Sequence, residues 1–272
     1  MSRLFAHLFR KPALQKWMHT VEKKKKTTGI IVIGDEILKG EVIDTNSHFL
    51  AKGLHKLGLN LNKISVIGDN VEDVCKEVKK FSEHYDYVIT SGGIGCTHDD
   101  ITFEAVGKAF DSPLVVHPEL QQICSKFFNT TDPKHPGMKL AKVPSDAKLN
   151  YSQSEMKVKY PIISVHNVYI FPGIPQFLEH AFTAAGDQLF KSDNKFYTMY
   201  VFCNTTEDKL TQALNSVVKM YPKVQFGSYP SINNSIYKVK ITVESNQANL
   251  TKEAHDKLIL AIPQNFIVKK LV

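Results

Sequence analysis

The sequence predicts an α/β fold in which a parallel or mixed sheet lies between two layers of helices, followed by a smaller α+β unit. Three observations predict it. Short all-apolar runs, typical of strands covered on both faces, alternate with stretches at helical spacing through the first two thirds of the chain. Three of these runs end in glycine and acid: GDE at 34–36, GDN at 68–70 and SGGIGCTHDD at 91–100. The last third changes to a different order of strands and helices after a polar break at 191–195.

The first folded element is GIIVI, 29–33, a strand with no polar residue. The turn GEVIDTN follows, and 44–46 supplies the cap of a helix carrying Phe49, Leu50, Leu54 and Leu57, with Gly58 as its stop. A strand at 61–67 leads to a helix carrying Val74, Val78 and Phe81. The strand at 87–90 breaks into Ser91, Gly92, Gly93, Ile94 and Gly95, and a helix with Ile101, Ala105 and Val106 on one face is expected from Thr97. A helix at 117–128, a loop at 129–139, a hairpin from 162–165 and 168–171, and a helix at 176–190 after Pro172-Gly173-Ile174-Pro175 complete this part. Beyond residue 195 the pattern is strand (196–202), helix (207–221), strand (224–229), strand (235–244), helix (248–261) and strand (266–268). That β-α-β-β-α-β order is ferredoxin-like. The expected division is a basic arm at 1–27, an α/β domain at 28–190 and the ferredoxin-like α+β domain at 191–272.

The formal charge of +7 is not spread over the chain. Residues 1–26 hold eight basic side chains and one acid, which leaves the remainder neutral and without an overall pull on nucleic acid. In that arm Leu4, Phe5, Leu8 and Phe9 recur at helical spacing among basic residues, with no acid before Glu22. This pattern predicts a mitochondrial transit peptide, hence the mitochondrial matrix; the alternative is a basic surface tail on a cytoplasmic protein. No apolar run is long enough for a transmembrane helix. The four cysteines form no CxxC pair, which argues against zinc and redox frameworks.

In parallel sheets ligands bind beyond the carboxyl ends of the strands, where the three glycine–acid turns fall. Glycines in a strand-to-helix turn can expose successive N–H groups to an anion. Carboxylates beside such a cradle repel a phosphate unless a divalent cation lies between them. Thr97 and Asp100 also fit a capped first helical turn, and their spacing leaves both readings open.

GDEILKGEVIDTNSHFLAKGL, VIGDN and ITSGGIGCTHDDITFEAV together resemble the molybdopterin-binding (MoaB/Mog) domain, in the version found in CinA-like proteins. KLAKVPSDAKLN and ISVHNVYIFPGIP narrow the resemblance to the N-terminal half of eukaryotic FAD synthase, over about residues 28–272. The resemblance implies a three-layer MoaB/Mog-like sandwich and a nucleotide diphosphate substrate. The half of FAD synthase that it covers is associated with metal-dependent hydrolysis of FAD to FMN and AMP. The adenylyltransferase activity lies in a further domain absent from these residues. Carried over by position, the catalytic acids fall on Asp35, Asp69, Asp99 and Asp100. Asp35, Asp69 and Asp100 are the implied ligands of Mg2+, Mn2+ or Co2+. Glu36, Asp44, Asn46, Ser91, Gly92, Gly93, Gly95, Thr97, Pro172 and Gly173 are the implied substrate- and phosphate-binding positions, and one Asp or Glu36 would be the base. Cys96 stands where the family has proline, and nearby N–H dipoles are expected to lower its thiol pKa. Relatives form dimers or trimers, so a homo-oligomer is compatible with the resemblance. The alternatives are a flavin- or pterin-nucleotide-binding module that does not catalyse, and a molybdopterin adenylyltransferase-like enzyme.

Overall fold

The computed structural model describes residues 26–153 and 160–269, so the targeting expectation for the basic arm lies almost wholly outside the described residues. The elements run β1 (Thr27–Ile33), α1 (Asp35–Leu38), α2 (Asn46–Lys56), β2 (Asn60–Ile67), α3 (Val71–His84), β3 (Tyr87–Ser91), α4 (Thr102–Ala109), β4 (Leu114–Val116) and α5 (Pro118–Phe128). Then follow β5 (Lys142–Pro144), β6 (Lys148–Asn150), β7 (Ile162–Val165), β8 (Val168–Phe171) and α6 (Pro175–Leu189). The chain continues with β9 (Tyr197–Cys203), α7 (Thr211–Met220), β10 (Gln225–Pro230), β11 (Val239–Ser245) and α8 (Ala248–Ala261).

The principal sheet has the order β2-β1-β3-β8-β7-β6. β2, β1, β3 and β8 are mutually parallel, while the β7–β8 hairpin turns the far edge antiparallel. β1 shows why its sequence is apolar throughout. Ile31 and Ile33 pack into a core with α3, α4 and α5, and Ile30 and Val32 pack into the opposite core with α2 and α6. Alternate side chains of one strand thus feed both faces, which makes the expected three layers. A third core draws only on residues from Val201 onward.

That third core lies under an antiparallel sheet of order β10-β11-β9. Its fourth strand is reduced to a single bridge, Cys203 to Ile267, flanked by hydrogen bonds from Asn204 N to Phe266 O (2.7 Å) and from Val268 N to Phe202 O (2.8 Å). The resulting order, with this segment beside β9, is ferredoxin-like. β11 begins at Val239 rather than at 235, because Asn234 Oδ1 accepts the N–H groups of Ile236 and Tyr237 and holds a turn there.

The helix expected from Thr97 begins at Thr102 instead. Asp100 Oδ2 accepts from Thr97 N (2.7 Å) and Thr97 Oγ1 (2.6 Å), closing residues 97–100 into a separate turn. Thr102 N then donates to Gly93 O (2.9 Å) and ties the helix start to the glycine loop. Among the described residues no helix is long and apolar enough to cross a membrane.

Candidate functional site

The carboxyl ends of β1, β2, β3 and β8 deliver four loops to one edge of the sheet. Those from β1 and β2 are locked together by their acids. Asp35 N donates to Asp69 Oδ2 (2.9 Å), and Asp69 N donates to Asp35 Oδ1 (3.3 Å). Gly34 N also reaches Ile67 O at 3.0 Å. A side chain at Gly68 would meet the Asp35 carboxylate and displace it from this arrangement. Lys39 Nζ lies 3.3 Å from Asp35 Oδ2, an exposed pair of small energetic weight. The Glu36 carboxylate lies over Gly34 in the same turn.

The β3 loop is held from three sides. Gly92 has φ 106°, and a Cβ on it would overlap the Ile33 carbonyl oxygen at the end of β1. Gly92 N donates to Phe171 O (3.2 Å), and Thr102 Oγ1 donates to Gly92 O (2.8 Å). Gly173, following Pro172 after β8, comes so close that its own Cβ would stand 3.2 Å from Gly92 Cα. Asn46, only 8% exposed, donates from Nδ2 to Ser91 Oγ (3.0 Å) and to Gly173 O (2.7 Å), stitching α2 to both loops. Its Oδ1 is buried with no hydrogen-bond partner. With the backbone fixed in this way, the N–H groups of Gly93, Ile94, Gly95 and Cys96 donate to no protein acceptor among the described residues. A row of such donors on a positive-φ glycine turn attracts anionic oxygen.

The sequence-predicted residues therefore divide. Asp35, Asp69, Glu36, Asn46, Ser91, Gly92, Gly93 and Gly173 meet at one edge. Asp44 is occupied as the cap of α2, accepting from Ser47 N (2.9 Å) and from the Ser47 hydroxyl. Asp100 folds back on Thr97 and lies over Gly95, where a Cβ would be 2.5 Å from its Oδ2. The expected metal set of Asp35, Asp69 and Asp100 is not assembled: among the described residues, no group of three or more His, Cys, Asp and Glu is placed to hold an ion. Asp99 is solvent-exposed, and the Thr97 hydroxyl, then its own backbone N–H, hold its carboxyl below the usual carboxylate range.

Cys96 corrects a further expectation. Burial, with Asp100 adding to it and Lys139 opposing it, pushes the thiol up rather than down. Lys139 is one of several basic residues that sequence reasoning missed. It donates to Thr97 O, and with Lys134, His135 and Lys142 it lines a cavity of about 470 Å³ that also receives Gly95, Cys96 and Asp100. Lys134, His135 and Lys139 fall in the expected loop at 129–139, beside Pro133, Pro136 and Gly137, and Lys142 follows it. Their basic character was visible, but their place against the glycine loop depends on tertiary packing.

Comparison with known proteins identifies the family and the fold. Residues 29–191 match the sequence family described as "Probable molybdopterin binding domain", and residues 195–271 match "FAD synthase, middle domain". The chain is 38% identical over 255 residues to a probable FAD synthase of Caenorhabditis elegans, a match covering 85% of this chain and 49% of that protein. It therefore spans about half the length of that relative. It is 33% identical over 201 residues to a protein of Archaeoglobus fulgidus, covering 74% of this chain and 84% of the other. The crystal structure of CinA from Thermoplasma acidophilum, a protein of unknown function, is similar at a TM-score of 0.55 and 26% identity, over 61% of this chain and 98% of that one.

Proposed function

From the premise that the chain belongs to the family of probable molybdopterin-binding domains, followed by the FAD synthase middle domain, we propose that it hydrolyses the diphosphate of a dinucleotide, most readily FAD, to two mononucleotides. One observation carries the reading. N–H groups of the β3 loop that have no protein acceptor stand at the same sheet edge as the interlocked Asp35 and Asp69. Nucleotide diphosphate is the substrate class suggested by the name of the FAD synthase relatives.

The reaction adds water to one phosphorus and breaks its bond to the bridging oxygen. FAD would give FMN and AMP. The Gly93–Gly95 donors would hold oxygens on which negative charge builds, in an arrangement fixed before substrate arrives. One carboxylate among Asp35, Asp69 and Glu36 would take the water proton. A divalent cation is part of the proposal, but not as an ion held by three protein carboxylates. Magnesium commonly rests on one or two carboxylates with the substrate phosphates completing its shell, and Asp35 and Asp69 supply that number. Such an ion would offset phosphate charge and acidify water.

The test is direct. Purified protein is incubated with FAD and Mg2+, Mn2+ or Co2+, and products are separated by HPLC. Release of equal FMN and AMP is expected, falling by at least about a hundredfold in Asp69→Asn. Unchanged cleavage in that variant would reject this site. The engagement of Asp100 with Thr97 favours a second reading, a nucleotide-binding module without turnover; it predicts FAD bound and recovered intact.

A further inference from the structure

The cavity of about 470 Å³ beside the glycine loop has two walls of different chemistry. One is the loop itself, with the N–H groups of Gly95 and Cys96 open to an acceptor. The other is the segment 133–142, which brings Lys134, Lys139 and Lys142. Lys139 is tied to the loop, since its ammonium donates to Thr97 O. That carbonyl is neutral, so the bond takes up one of three donors and leaves the charge uncompensated. Among the described residues no carboxylate pairs with Lys134, Lys139 or Lys142. Of the two acids in the lining, Asp100 is engaged by Thr97 N and Thr97 Oγ1, and Glu104 forms no ion pair among the described residues. Burial and then Asp100 raise the Cys96 thiol, and Lys139 works against that rise, so the field of the ammonium reaches the loop.

We propose that Lys139 is a catalytic cation of the diphosphate site: its ammonium meets non-bridging oxygens of a nucleotide diphosphate whose other oxygens rest on the Gly95 and Cys96 N–H groups, with Lys134 and Lys142 drawing the anion into the cavity. The class of ligand follows from the donors. Backbone N–H groups on one wall and ammonium groups on the other have only donors to offer, and a phosphate chain accepts from both at once. The volume is that of a pocket enclosing part of a nucleotide rather than a bare inorganic ion. The assignment rests on the hydrolase reading for its chemistry. As water adds to one phosphorus and the bond to the bridging oxygen breaks, charge gathers on the phosphoryl oxygens; the lysine meets that charge and keeps its protons, so the step needs no further reactant. Part of the positive charge at the phosphates would then belong to the protein, where no three-carboxylate metal set is assembled among the described residues.

Lys139→Gln tests it, because glutamine keeps a donor for Thr97 O and removes the charge, while Lys139→Arg keeps the charge. Two readouts are taken on the full chain: calorimetric binding of inorganic pyrophosphate without added metal, and FAD cleavage with Mg2+. Lys139→Gln is expected to weaken pyrophosphate about tenfold and to slow cleavage at saturating FAD about a hundredfold, with Lys139→Arg close to the native chain in both. Cleavage that depends on Asp69 yet is unchanged in Lys139→Gln would overturn the assignment and leave the hydrolase reading standing. A native chain that cleaves no dinucleotide, but binds pyrophosphate through Lys139, would reject the hydrolase reading and the catalytic role while keeping Lys139 at the phosphates. A loss in Lys139→Gln that is equal in Lys139→Arg marks a structural role and also overturns the assignment. Should Lys139→Gln fail to fold, Lys142→Gln, at an exposed position, decides: pyrophosphate affinity falls several-fold where the cavity seats the phosphates, and unchanged affinity overturns the proposal.

Discussion

Asn46 shows how much rests on one side chain at this edge. Its amide joins the end of β3 to the loop after β8 through two hydrogen bonds in a nearly water-free position. Asn46→Ala would strand the Ser91 hydroxyl and the Gly173 carbonyl, and is expected to cost about 2–3 kcal/mol in denaturant unfolding. Asn46→Asp should be worse than a near-isosteric exchange suggests, because a buried carboxylate cannot donate to Gly173 O. Asp86 anchors the other end of the same strands. It accepts from Thr27 N and Thr27 Oγ1, both at 2.9 Å, and pairs with Lys26 at 3.4 Å. The Thr27 backbone bond, first among these, lowers its pKa below the ordinary 3.8. Its folded pKa is thus below its unfolded value, so its contribution is complete above the ordinary carboxylate range and is lost as pH falls through the folded value. Asp86→Asn should cost about 1–2 kcal/mol at pH 7, and the difference from the native chain should shrink in unfolding curves taken below pH 3.8.

At the scale of the element, the loop between β3 and α4 is the decisive one. Its glycines were legible as a turn needing positive φ, and the structure gives Gly92 and Gly93 φ values of 106° and 64°. Gly92→Ala combines a disfavoured backbone with a clash against Ile33 O. It is expected to cost several kcal/mol or to displace the loop, read as a lowered Tm together with lost FAD cleavage. What was not legible was where the helix starts. Thr97 and Asp100 have the spacing of a cap, and they do bond to each other, but in a turn that stands ahead of α4. Local residue preference specified the bond without specifying which element it would close. In α2, by contrast, Asp44 and Gly58 bracket the helix as their types suggest, since capping needs only neighbours in sequence.

For the whole molecule, contacts between the two sheets' surroundings set their relation. His55 on α2 stacks on Phe196 with ring centres 4.6 Å apart and planes 15° apart, while its Nε2 meets Glu244 on β11. Ser192 Oγ and Asn194 Nδ2 both donate to Gly58 O, at 3.0 and 3.2 Å. Phe196→Ala should loosen this junction, seen as faster limited proteolysis near residues 190–197 with the thermal transition of the rest little changed.

By itself the sequence determined the alternation of strands and helices, the apolar core positions, the glycine–acid turns and the ferredoxin-like order of the last third. Each of these depends on residue type at short spacing, through side-chain periodicity, capping or allowed backbone angles. Only the tertiary structure decided that Asp35 and Asp69 interlock while Asp100 bonds to Thr97 and lies over Gly95, that Lys139 reaches the Thr97 carbonyl, that the last strand shrinks to one bridge, and that Tyr200, Tyr229 and Lys240 share an open face. Those outcomes join residues far apart in the chain, and the strand register and loop packing that bring them together are set by the combined burial of both sheet faces rather than by any local pattern.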